Sequence, residues 1–161
     1  MSESPLERVL NIEELLSKVE HWRRNGDSIV FTNGCFDILH IGHLQTLMQA
    51  QQEGTRLIVG LNSDDSVRRL KGETRPINTE LERAQMLAAL RCVEAVIIFP
   101  EDTPNTVLEA LKPDVHVKGG DYRIEDLPEA EIVKKNGGRI AIINLVPNRS
   151  TTALIEKTKS Q

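Results

Sequence analysis

Cysteine is scarce in this sequence: Cys35 and Cys92 are the only two in 161 residues. They lack metal-ligand spacing and suggest no disulfide framework, so a reducing, cytosolic setting fits them best. Long hydrophobic runs are missing too. The longest, such as AVIIF at 95–99, are far too short to span a membrane, and the acidic, polar opening MSESPLE is not expected to act as a signal peptide. A surplus of positive charge is the third absence. With a formal net charge of -4, a broad polyanion-binding surface of the kind nucleic acid needs is not expected, and any cationic site has to be local. Two phosphate motifs are also lacking, the Walker A loop and the G-x-G-x-x-G fingerprint.

What is present suits one compact domain, with 39% apolar residues. NIEELLSKVEHWRRNG (11–26) places Leu15, Leu16, Val19 and Trp22 on one helical face, with Gly26 closing the helix. SIVFT, TRLIVGL, VEAVIIF, DVHVKGGDY and RIAIIN read as five strands, the second apolar on both faces as in a parallel sheet. Between them lie helical stretches. These are IGHLQTLMQAQQEG, a short helix in NSDDSVRRLKGETRPIN running into an exposed loop, and a helix through Leu90 opened by a Thr79–Glu82 capping box. Another has Thr103 and Pro104 as cap and first-turn residues, and LPEAEIVKKNGG follows. STTALIEKTK is the last, capped by Ser150 or a neighbour. The alternation predicts an α/β fold: a single Rossmann-like domain over residues 1–161, with a five-stranded parallel sheet and helices on both faces. Ligands then belong outside the carboxyl ends of the strands. The loops expected there are 32–43, 62–78, 118–123 and 147–152.

The first of these loops holds FTNGCFDILHIGHLQ (31–45), with His40 and His43 three residues apart around Gly42. The pair could bind a metal, pack, or face an anion. Helical metal pairs usually stand at i and i+4, and no third histidine is nearby. Either histidine alone would pass as a satisfied turn residue. Their place on a strand-to-helix turn favours an anion, because a helix start offers free N–H groups and about half a positive charge. Gly42 leaves room for an oxygen to approach the backbone.

GCFDILHIGH resembles the H-x-G-H signature of the cytidylyltransferase-like nucleotidyltransferase superfamily. LKGETRPIN, ERAQMLAAL, VKGGDY, LPEAEIVKKNGG and RSTTALIEK narrow the likeness to heptose-1-phosphate adenylyltransferase, found elsewhere as the second domain of a bifunctional heptose kinase/adenylyltransferase. The resemblance covers about residues 11 to 159. It implies that D-glycero-D-manno-heptose 1-phosphate attacks the α-phosphate of ATP, giving ADP-heptose and pyrophosphate. Mg2+ would ride on the ATP phosphates with no dedicated protein metal ligands. A separate sugar kinase would act upstream, and a homodimer is expected by analogy. A cytidylyltransferase or FAD-synthase-like enzyme acting on another phosphorylated alcohol, or a non-catalytic nucleotide-binding module, is the alternative.

Residue by residue, the resemblance makes His40 and His43 donors to the triphosphate and lets Lys71 bridge the incoming phosphate and the α-phosphate. Arg75 would join Lys71 at the substrate, although RRLKGETR also reads as a solvated basic face, most evenly at Arg68, Arg69 and Arg75. Asp37 either braces its loop or meets sugar hydroxyls. Thr32, Asn33, Gly34, Cys35, Phe36 and Gly42 are expected along the nucleotide. Cys35 has no evident base partner and is not expected to be a nucleophile. Gly119 and Gly120 let backbone approach a base or ribose, Asp121 resembles a ribose-hydroxyl acceptor, and Lys118 contacts nucleotide or simply ends a strand. Arg149 would grip the β- and γ-phosphates beside Ser150, Thr151 and Thr152, whose hydroxyls and N–H groups make a second helix-start anion site. No general base is needed, because a phosphate monoester has its second pKa near about 6.

Overall fold

The computed structural model describes residues 4–145, 147 and 150–160. Five strands, β1 (Ile29–Gly34), β2 (Arg56–Asn62), β3 (Ala95–Phe99), β4 (Val115–Gly119) and β5 (Arg139–Ile143), form one wholly parallel sheet in the order β3-β2-β1-β4-β5. Alternation along each strand sends side chains to both faces. Ile29 and Phe31 of β1 join Ile58, Ile97 and Phe99 under α1 (Ile12–Arg24), α5 (Asn105–Leu111) and α6 (Ala130–Lys135). Val30, Val59, Leu61 and Val117 point the other way, under α2 (Ile41–Gln51) and α4 (Glu80–Ala88). Two apolar layers thus clamp the sheet, which is why its strands read as continuous hydrophobic runs. The remaining helices are α3 (Asp64–Lys71) and α7 (Thr151–Lys159). None among the described residues is long and apolar enough to cross a membrane.

Local signals explain the boundaries. Thr79 and Glu82 close the expected capping box on α4, and Ser150 caps α7 by accepting from the Ala153 N–H at 3.1 Å. The helix α4 ends at Ala88 rather than Leu90, because the last residues tighten into a turn, with the Leu90 N–H donating to the Leu87 carbonyl. The start of α5 also differs from expectation. Pro104 occupies the cap position at φ -80° without any side-chain cap bond, so Thr103 does not cap. Proline's fixed φ leads into the helix unaided.

The strand order places the site. From β1 the chain moves outward to β2 and β3, then returns to the other side of β1 for β4 and β5. The reversal lies between β1 and β4, and outside such a switch point the flanking loops part and leave a crevice.

Candidate active site

A cleft of about 650 Å³ opens at that point. Its lining comes from the ends of β1, β2 and β4, the starts of α2 and α7, and the segment from Leu70 to Arg75. Of the residues picked out in the sequence, Asn33, Gly34, Cys35, Phe36, Asp37, His40, Gly42 and His43 line it from one side. Lys71, Arg75, Lys118, Ser150, Thr151 and Thr152 line it from the others.

The histidine pair is built by the start of α2. His40 is its N-cap, and its Nδ1 accepts from the Gly42 N–H at 3.1 Å. That bond leaves Nε2 as the protonated nitrogen of the neutral ring. One turn on, the His43 ring stacks on His40 with centroids 3.9 Å apart and planes 26° apart, while Phe36 packs against it at 5.2 Å. Burial, then the neighbouring His40, pushes the His43 pKa down to about 4, against a smaller upward pull from the Ile38 carbonyl. His43 is therefore a neutral imidazole at pH 7. Among the described residues its buried Nδ1 makes no well-formed hydrogen bond, and Asn33 Oδ1 is likewise buried without a partner at the same cleft.

Asp37 lines the cleft with a carboxylate that its own surroundings already occupy. Its two carboxylate oxygens accept from Arg75 Nε at 2.6 Å and from the backbone N–H groups of Ile77 and Asn78 at 2.9 Å. Burial raises its pKa, but the Asn78 and Ile77 N–H groups and Arg75 outweigh it, and the net direction is downward. Of its two roles, Asp37 takes the bracing one, and Arg75 enters the cleft already leaning on it. Arg68 pairs with Asp65, and Arg69 with Asp102 and the Pro100 carbonyl. From the basic run only Lys71 and Arg75 therefore line the cleft. Cys35 lines it with a thiol pushed up by burial, the wrong direction for a nucleophile.

Several expected residues do not line the cleft. Thr32 is buried and its hydroxyl donates to the Val117 carbonyl at 3.0 Å. A Cβ on Gly119 would meet Leu145 and Thr46 side chains, so that face is covered. Gly120 and Asp121 lie outside the lining, and Arg149 falls outside the described residues.

Sequence reasoning passed over Arg83. It is 1% exposed and donates to the carbonyls of Cys35, Asn62 and Asn78 and to Asp64 at 2.8 Å. One guanidinium thus ties the end of β1, the end of β2 and the 75–78 loop together. The signal was available, since Arg83 sits in the apolar stripe of α4 with Ala84, Leu87 and Ala88. Thr46, Asn62, Leu70, Asp102, Tyr122 and Leu145 complete the lining.

The residues 31–157 match the family described as cytidylyltransferase-like. The bifunctional protein HldE of Pseudomonas paraeruginosa is 53% identical over 153 residues, covering 95% of this chain and 32% of that protein. HldE of Methylobacillus flagellatus is 48% identical over 99% of this chain and 33% of its own length. The chain thus spans about a third of the curated relatives it matches. Among solved structures, a lipopolysaccharide core biosynthesis protein from Thermoplasma volcanium is 30% identical with a TM-score of 0.60, covering 75% of this chain and 98% of that one. Pantoate-beta-alanine ligase from Francisella tularensis, at 15% identity and a TM-score of 0.58 over 94% of this chain and 76% of its own, shares the fold alone. With its histidine pair at the switch point of a parallel sheet, this chain belongs to the cytidylyltransferase-like family.

Proposed function

We propose that the chain is a nucleotidyltransferase that moves AMP from ATP onto D-glycero-D-manno-heptose 1-phosphate, releasing pyrophosphate. The carrying observation is the stacked His40–His43 pair at the start of α2, with His43 held neutral and Lys71 across the same cleft. Two polyanions meet in this reaction, so catalysis consists of positioning them and stabilising charge that develops on the α-phosphate and the leaving group. The nucleophile is already ionised at pH 7. The reaction therefore asks for no general base. His40 and His43 donate hydrogen bonds to the triphosphate, Lys71 meets the phosphoryl group in transit, and the start of α7 takes the pyrophosphate end.

Among the described residues no group of three His, Cys, Asp or Glu could hold a metal ion. Of the cleft's carboxylates, Asp37 is taken by its loop and Asp102 by Arg69. An Mg2+ ion carried on the ATP phosphates, keeping most of its waters, would supply charge neutralisation when bound. The support for the sugar phosphate is the sequence resemblance together with the HldE relatives. The same reading puts the reaction in the cytoplasm, with the acceptor supplied by a sugar kinase activity and the chain working as a homodimer.

The test is pyrophosphate release from ATP or CTP against a panel of phosphorylated sugars and alcohols. ATP with heptose 1-phosphate should be clearly the best pair. Equal rates with CTP and glycerol 3-phosphate would reassign the acceptor, and binding without turnover on any pair would make the chain a nucleotide-binding module.

A further inference from the structure

Glu129 has no part in the chemistry above, yet it is only 4% exposed. Its Oε1 accepts from Lys118 Nζ at 2.8 Å and faces His116 Nε2 at 3.3 Å. His116 is fully buried in β4 and stacks on Phe31. The contact with His116, and then Lys118, holds the Glu129 carboxyl well below the usual range, at about 2. A buried ionic cluster is seldom worth more to stability than apolar side chains of the same volume. Its use has to be sought in what it holds.

It holds Lys118, and through it a ring. The Lys118 ammonium lies 5.7 Å from the centroid of Tyr122, within cation–π range. The ring also rests against Gly120, where an added Cβ would come within 2.6 Å of Tyr122 Cε2. Yet Tyr122 is 50% exposed and lines the cleft beside Lys118, Thr46 and Leu145. An exposed aromatic held by two neighbours is a preorganised stacking surface.

We propose that Glu129 is a positioning residue for the nucleoside half of the cleft: it fixes the Tyr122 ring through Lys118 and cancels the charge of Lys118, so that this end receives the uncharged base and ribose. The histidine pair, Lys71 and the start of α7 are left to the phosphates. This rests on the reading of the cleft as a nucleotide site.

The experiment uses the full chain and two probes, adenosine and inorganic tripolyphosphate, titrated calorimetrically beside steady-state kinetics. Glu129→Gln should weaken adenosine roughly 5- to 10-fold, the scale of a disturbed base–aromatic stack, and leave tripolyphosphate as tight or tighter. KM for ATP should rise in step, with kcat within about threefold of wild type. Tyr122→Ala, a change at a half-exposed side chain, should show the same adenosine loss, and Tyr122→Phe should restore it. Combining Glu129→Gln with Tyr122→Ala should cost no more than Tyr122→Ala alone. Unchanged adenosine binding in Tyr122→Ala, or equal weakening of both probes in Glu129→Gln, overturns the proposal. A wild-type chain that binds neither ATP nor either probe instead overturns the nucleotide reading beneath it.

Discussion

Burying a histidine against a second imidazole limits what it can do. His43 has its pKa lowered from 6.5 to about 4, so on acidification the unfolded chain takes up this proton before the folded one does. Stability on this account is complete above about pH 6.5 and declines as pH falls towards 4. Asp37 and Glu129, both shifted downward, lose their contributions only below the ordinary carboxylate range and leave the window from pH 7.5 to 5 clear. Urea unfolding should therefore show wild type losing about 1–2 kcal/mol more than His43→Gln between those two pH values. Parallel losses would mean that His43 is not held neutral. Lys71 makes the opposite case, a flexible cation at the end of α3 that lines the cleft without a salt bridge among the described residues. If it meets the α-phosphate chiefly as charge accumulates, Lys71→Ala should cost at least about 10²-fold in kcat while KM for ATP moves little. A larger change in KM than in kcat would make it an ordinary ground-state contact.

At the scale of elements, the periodic signals were legible and the interior polar chemistry was not. The apolar runs of the strands, the Thr79–Glu82 capping box and Ser150 before α7 all announced their elements, because each acts over a few neighbouring residues. The loop 31–45 announced the histidine pair for the same reason. The apolar stripe marks Arg83 as buried, but its role stays hidden because its partners, Cys35, Asn62, Asp64 and Asn78, lie 5 to 48 positions away, and only the fold brings them to one guanidinium. Lys118 read equally well as a nucleotide contact or a strand end until Glu129 was seen at 2.8 Å. Arg83 carries an element-scale prediction. Truncation to alanine would strand three carbonyls and Asp64, and removing one partner of a buried charged network typically costs about 3–5 kcal/mol. Arg83→Ala should lower the urea midpoint accordingly, and Arg83→Lys should recover little, because an ammonium cannot reproduce the planar fork. A variant within about 1 kcal/mol of wild type would show that water can replace these bonds.

For the molecule as a whole, stability is unevenly distributed, and the cleft lies along that division. The sheet is sealed on both faces by fully buried side chains. In contrast, no residue of α7 is buried, and its recorded polar link to the 35–40 loop is Thr151 Oγ1 to the Ile38 carbonyl at 3.4 Å. An open pocket of about 370 Å³ is lined by Ile38 together with Leu154, Ile155, Lys157 and Thr158 of the helix. Elements with so few buried contacts open at little free-energy cost. Yet Ser150, Thr151 and Thr152 at its start line the cleft. A triphosphate bound there would join α7 to the start of α2 through one anion, and binding to the docked form alone stabilises it by mass action. With ATP at about 100 times its Kd, that linkage slows opening-limited exchange by up to about 100-fold. Hydrogen exchange of the free chain should therefore find the α7 amides exchanging fast and those of β1 and β2 slowly. ATP should protect α7 and the 35–40 loop by at least about tenfold while the central strands barely change, and adenosine, lacking phosphates, should protect neither. Unchanged exchange in α7 with ATP bound would separate this helix from the phosphate site. Equal protection of every element would mean that the chain opens only as one unit.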